Sequence, residues 1–163
     1  MRAKKFLDFW IFSEYLPNST CRTVTRPQPQ AMPVLRAAFS LPVADAQRTE
    51  GFYSGIFAAE MVSREAGTVT LELPGVNIFF IEVEEFNLLL KPADGEARFA
   101  AETNVAMLTA TVSRRDEAYA VLKSAANAGG EPCGQAVPYP WGLAAYFKDP
   151  DGHLWEVLWH SGK

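Results

Sequence analysis

Residues 147–159 read FKDPDGHLWEVLW and gather four side chains of the kinds that ligate cations or carry protons: Asp149, Asp151, His153 and Glu156. Their spacing divides them. Asp-Pro-Asp-Gly is a turn composition, with proline fixing φ and the aspartates able to bond nearby backbone. Glu156 instead alternates with Trp155 and Val157, as on a strand with one apolar face. A calcium loop opens in a similar way, but the later oxygen ligands of its twelve-residue pattern are missing and no helices flank it, so a turn is the better reading. His153 sits beside the turn, where a solvated or hydrogen-bonded role is the default. His160 shares the parity of Glu156 but lies about 13 Å further along an extended strand, too far to share a cation with it. Acid–base catalysis by paired carboxylates needs a second inward acid, and none is assignable, which leaves Glu156 as the one candidate catalytic residue. Cys133, in EPCGQ, has no partner base and reads as a small buried hydrophobe rather than a nucleophile.

The bulk of the chain narrows the partners. Its 163 residues suffice for one domain with a sizeable core, and 15 basic against 19 acidic residues give a net charge of -4 with no long run of one sign. That balance offers no footprint for nucleic acid or an anionic membrane, and a small-molecule ligand fits better. Cys21 and Cys133 have no CxxC spacing, so neither a disulfide framework nor a zinc cluster is signalled. MRAKKFLDFWIF imitates a signal peptide, but its apolar run is short, broken by Asp8, and leads to no small-residue cleavage site. No apolar stretch approaches the roughly 20 residues of a membrane helix. The expectation is a cytoplasmic protein.

These side chains need elements to hold them. Residues 17–33 collect four prolines among polar residues, a linker composition that sets residues 1–33 apart as an N-terminal extension. The first 31 residues read either as an appendage, or the product of a start placed upstream of Met32, or as an extra helix from about Phe6 to Tyr15 packed on the body. From Val34 the order is a strand in VLRAAFSLPV, a helix in DAQRTEGFYSGIF with Asp45 as N-cap, then strand-like runs in AEMVSRE, GTVTLELP and VNIFFIEV. After a polar insertion, KPADGEARFAAET, the order recurs: VAMLTATV, the helix RRDEAYAVLKSAANA closed by Gly129 and Gly130, then EPCGQAV, GLAAYFK and HLWEVLW. Superposing Val43 on Val112 places Phe52 on Val121, Tyr53 on Leu122 and Ile56 on Ala125, so the apolar helix face repeats without a gap. No GxGxxG or GxxxxGK[ST] is present, and the paired glycines read as a helix end rather than a phosphate cradle.

A doubled β-α-β-β-β unit whose last strand follows DPDGHLWEV resembles the vicinal oxygen chelate superfamily of glyoxalase I, extradiol dioxygenases and the bleomycin and fosfomycin resistance proteins. TATVSRRDEAYAVLKSAANAGGE with GLAAYFKDPDGHLWEVLWH is most similar to the branch of predicted lactoylglutathione lyases. The resemblance implies an α+β domain over 34–163, its modules at about 34–90 and 104–160 forming an open barrel-like mixed sheet around a cleft, and a homodimer. It also implies four metal-ligand positions, one on the first and one on the last strand of each module. The first-strand position lies five residues before the superposed valine, which gives Ala38 and Met107. On the last strands the positions are Glu156 and, with Asn77 matched to Gly152, Ile81. Only Glu156 is an oxygen ligand, a remnant of such a site; a bulge that brings Glu82 inward is the costly rescue. The expectation is a protein that binds a small organic molecule without a metal or other cofactor, the cleft lined by Ala38, Ile81, Met107, Trp141, Tyr146 and Glu156. The alternative is a divalent-metal-dependent lyase or dioxygenase with ligands from another register. Trp155 and Trp159, of opposite parity to Glu156, must face away from the site.

If residues 1–31 are an appendage, a chain starting at Met32 unfolds thermally within a few degrees of the full chain. A large loss of melting temperature would show that Phe6, Phe9, Trp10 and Phe12 pack on the body.

Overall fold

The computed structural model describes residues 37–99 and 106–162, all within one compact unit. The expectations for the extension over 1–33, for Met32 and for Cys21 lie outside the described residues. The first module runs β1 (Ala38–Val43), α1 (Ala46–Ser54), β2 (Val62–Glu65), β3 (Thr68–Leu73), β4 (Val76–Glu82) and α2 (Val83–Leu90). The second runs β5 (Met107–Val112), α3 (Arg115–Asn127), β6 (Glu131–Pro132), β7 (Val137–Tyr139), β8 (Gly142–Lys148) and β9 (Leu154–His160). The class is α+β, as the sequence implies. Each module makes one mixed sheet, in the orders β1-β4-β3-β2 and β5-β9-β8-β6 with β7 also on β8, and the two sheets do not close into a barrel.

Local chemistry accounts for most boundaries. The Asp45 carboxylate accepts the Arg48 amide at 3.0 Å and so caps α1, as its position in the sequence predicts. Gly129 adopts φ 97° just past α3, the left-handed conformation that stops a helix. Two features depart from the sequence reading. VEEFNLLL forms α2 where the pattern offered only the end of a strand and an insertion, and EPCGQAV is split into β6 and β7 by a bend.

The repeat is visible in the strand register. β1 pairs with β4 in parallel from Ala38–Asn77 to Val43–Glu82, and β5 pairs with β9 in parallel from Met107–Leu154 to Val112–Trp159. Alternation then gives each sheet two faces. Val69, Leu71, Ile78 and Phe80 occupy the back of the first, and Leu108, Phe147, Trp155 and Val157 the back of the second, all buried in one core with Phe52 and Tyr53 of α1. Tyr53 lies 4.3 Å, centroid to centroid, from Phe80 and 5.9 Å from Trp155, while Phe52 meets Phe147 at 6.2 Å. One helix thus touches both modules, and the modules join through their back faces. Trp155 faces this core, as its parity to Glu156 requires.

A polar latch completes the joint. The buried Asp149 side chain accepts from the Tyr53 hydroxyl at 2.7 Å and the Asp151 and His153 amides at 3.0 and 2.8 Å, and it pairs with His153 Nδ1 at 2.8 Å. Trp155 Nε1 donates in turn to the Tyr53 oxygen at 3.1 Å. Asp151 accepts from the Ala44 amide at 3.0 Å and from Arg48 at 2.6 Å. DPDG is therefore a turn that clasps the first module, not a cation loop. Burial and the neighbouring Asp149 carboxylate push the Tyr53 phenol well above its ordinary pKa, so it stays a neutral donor.

Removing a buried acceptor strands its donors, so Asp149→Ala should lower unfolding free energy by about 3–5 kcal/mol. Asp116→Ala, which removes an exposed pair with Arg114 at the start of α3, should change it far less, because solvent screens that pair. Urea melts of the two variants check the contrast.

Candidate functional site

Glu156 sits in the middle of the front face of the second sheet, flanked in register by Thr109 of β5 and Tyr146 of β8. The Tyr146 hydroxyl donates to Oε1 at 2.8 Å and the Thr109 hydroxyl to Oε2 at 3.0 Å. Each oxygen has one donor and keeps acceptor capacity, since an ionised carboxylate offers about four lone-pair directions. The group is half-buried. It is thus preoriented from both sides yet still able to accept a proton or a ligand's donor. Tyr146 is pushed up to about 12, first by its bond to Glu156, then by burial and by the carboxylate's charge, with Tyr139 adding a smaller share.

Around this carboxylate the face is apolar and aromatic. Met107, Val137, Tyr139 and Trp141 all carry substantial exposed surface. Tyr139 stacks on Trp141 at 4.8 Å with 6° between planes, and Trp141 meets His160 at 4.9 Å. Trp141 therefore stands at a rim rather than in the core. The rim depends on Gly142 between Tyr139 and His160, because a Cβ there would lie 1.9 Å from the Trp159 carbonyl oxygen. Sequence reasoning singled out Met107, Trp141, Tyr146 and Glu156, and the structure places all four on this sheet or its connecting loop. It missed Thr109, although TAT at 109–111 puts a hydroxyl two residues beyond Met107 on the same face.

Ala38 and Ile81 belong to the other sheet, and one of them needs correction. Gly75 and Gly152 share φ values of 87° and 89° and stand two residues before Asn77 and Leu154, which hold the same register against β1 and β5. The residue equivalent to Glu156 is therefore Phe79, while Ile81 matches Leu158 and lies 7% exposed beside Pro42. Matching Asn77 to Gly152 ignored the different lengths of the two turns. Ala38 and Phe79 do share a cavity of about 640 Å³ with Asn77 and Leu73, and no ionisable side chain lines it.

A divalent cation does not fit these residues. The four equivalent positions supply a methyl, a phenyl, a thioether and one carboxylate, a single oxygen ligand where a hard cation needs several. Among the described residues, no group of three or more His, Cys, Asp or Glu could hold a metal ion. Glu82 does not rescue the site, because Oε1 caps the Ala46 amide at 2.9 Å. Cys133 is exposed rather than buried, on the bend between β6 and β7, where its thiol reaches only the Glu131 carbonyl. His153 is committed to Asp149. Among the described residues no helix is long and apolar enough to cross a membrane.

With this geometry in hand, residues 35–157 match the model of a family described as the glyoxalase/bleomycin resistance protein/dioxygenase superfamily. Solved structures share the fold. A hypothetical protein from S. aureus aligns at TM-score 0.66 and 23% identity over 79% of this chain and 95% of its own. A glyoxalase-related enzyme from Fulvimarina pelagi aligns at 0.64 and 25% over 76% and 86%, and the fosfomycin resistance protein of Mesorhizobium loti at 0.57 and 14% over 80% and 95%. No curated protein matches.

The Tyr146–Glu156 bond has a pH signature. A phenol whose folded pKa is raised contributes stability that is intact below about pH 10, its unfolded value, and lost as pH climbs through about 12. Tyrosinate absorbance should show two late-titrating tyrosines, Tyr53 and Tyr146; Glu156→Gln should return one of them toward 10, and Tyr146→Phe should leave Tyr53 alone in the late phase.

Proposed function

Because the chain belongs to the glyoxalase/bleomycin resistance protein/dioxygenase superfamily, we propose that it uses the front face around Glu156 to bind a small organic molecule, without the divalent metal centre of its glyoxalase-type relatives. The observation that carries this reading is the lone carboxylate, held by Tyr146 and Thr109 and rimmed by Met107, Tyr139 and Trp141. One charge amid apolar surface suits a flat or aliphatic ligand bearing a single cation or hydrogen-bond donor, with the aromatic faces adding cation–π attraction. Within the superfamily we place the chain beside the lactoylglutathione lyase-like proteins, as a binder rather than a hemithioacetal isomerase. Exposed apolar side chains outside this face, Leu88 and Leu89 of α2, also support a homodimer that covers them.

The test has a metal arm and a ligand arm. After exposure to nickel, zinc, manganese and iron, elemental analysis should find far less than one ion per chain, with no turnover of methylglyoxal-glutathione hemithioacetal or of a catechol. 1-Naphthylmethylamine should bind more tightly than the neutral 1-naphthylmethanol, and Glu156→Gln should erase that preference, a loss of about ten-fold or 1.4 kcal/mol. Met107→Asp should weaken the neutral compound. One ion per chain with metal-dependent isomerisation would overturn the reading, as would equal binding of amine and alcohol by the wild type.

A further inference from the structure

The two modules are built alike but closed differently. In the repeat, Phe52, Tyr53 and Arg48 of α1 correspond to Val121, Leu122 and Glu117 of α3. Over α1 the space is filled: Phe52 packs on Phe147, and the five-residue turn 149–153 of the second module reaches across to bond Ala44, Arg48 and Tyr53. Over α3 the equivalent turn is only Pro74–Gly75, and the equivalent of Phe52 is a valine. A shorter turn and a smaller side chain leave unfilled volume. The structure has it where the repeat requires: a cavity of about 530 Å³ bounded by Leu73 and Pro74 on one side, Ala110, Val112 and Val121 on the other, and Phe147 at its floor.

We infer that this cavity is a second ligand site, for a neutral apolar small molecule. Its volume is that of a drug-sized ligand rather than of a few waters. Every lining side chain is apolar except Thr109 and Thr111, and no charged group borders it, so an ion entering would lose hydration without a partner. β5 forms one wall and is an edge strand among the described residues, so one side of its backbone has no ladder partner there and offers a hydrogen bond to a ligand's polar end. Glu156 is not among the lining groups, although Thr109, which donates to it, touches both; Ala110 and Val112 line the cavity from the opposite face of β5.

The repeat itself supplies the test. Val121→Phe restores the side chain that fills the equivalent space, and Ala110→Leu fills the cavity from the opposite wall. The neutral probe N-phenyl-1-naphthylamine should bind the full-length protein at one per chain with a fluorescence rise. Each filling variant should weaken it at least ten-fold without lowering the melting temperature, and Glu156→Gln should leave it unchanged. If Val121→Phe fails to fold, Ala110→Leu alone decides. The inference is overturned if the wild type does not bind the probe up to its solubility, if binding survives the folded filling variants, or if Glu156→Gln abolishes it. It is equally overturned if binding disappears as protein concentration rises with self-association, for then a second copy is the occupant.

Discussion

A single buried carboxylate, that of Asp149, accepts hydrogen bonds from two amides of its own turn and from Tyr53 of the other module while pairing with His153. Buried ionisable groups persist only when their donors converge, and here convergence requires the turn, α1 and β9 to be in place together. Trp155, bonded to the same tyrosine and stacked at 6.0 Å on Phe147, carries that requirement into the hydrophobic core. The aromatic packing supplies most of the burial energy, and the latch selects the arrangement of modules in which the Asp149 carboxylate, the Tyr53 hydroxyl and the Trp155 N–H are bonded, while His153 Nε2 has no partner among the described residues.

Joining the modules by their backs has a consequence for chemistry. The faces that carry Glu156 on one sheet and Phe79 on the other lie outside the shared core, so neither is consumed by folding. What each face can do is then decided by side chains that the core does not constrain. The second sheet kept a carboxylate with two hydroxyl donors, and the first carries an alanine, a serine and a phenylalanine at positions 38, 40 and 79. Likeness of fold to its relatives therefore says little about metal chemistry in this chain, because the scaffold is maintained by residues of opposite parity.

Much of this was legible in the sequence because it is periodic. Alternation around Glu156 assigns Trp155 to the core, Asp45 marks a helix start, and the repeat of Val43 at Val112 predicts the matching registers. What escaped reading depends on distance in space rather than on pattern. Nothing near Thr109 in the sequence announces a carboxylate 47 residues on, and the pairing of β5 with β9 is what brings the two to 3.0 Å. The sequence points to Ile81 because a turn of two residues and a loop of five look interchangeable until strand pairing fixes their ends and puts Phe79 opposite Ser40. The helix α2 begins directly at the end of β4, and residues 78–90 contain no glycine or proline to mark where the strand stops and the helix starts.

The unequal turns also make the two halves a key and a socket. The aspartates of 149–151 are the key, and Ala44, Arg48 and Tyr53 the socket; in the other half the socket positions hold Ser113, Glu117 and Leu122, and the key is reduced to Pro74–Gly75. Two copies of the second half would bring Asp151 against Glu117 and leave Asp149 facing a leucine. Two copies of the first would have sockets and nothing to enter them. A chain that repeats one unit thus cannot be assembled from either unit alone, and the order of its halves is part of what the sequence encodes.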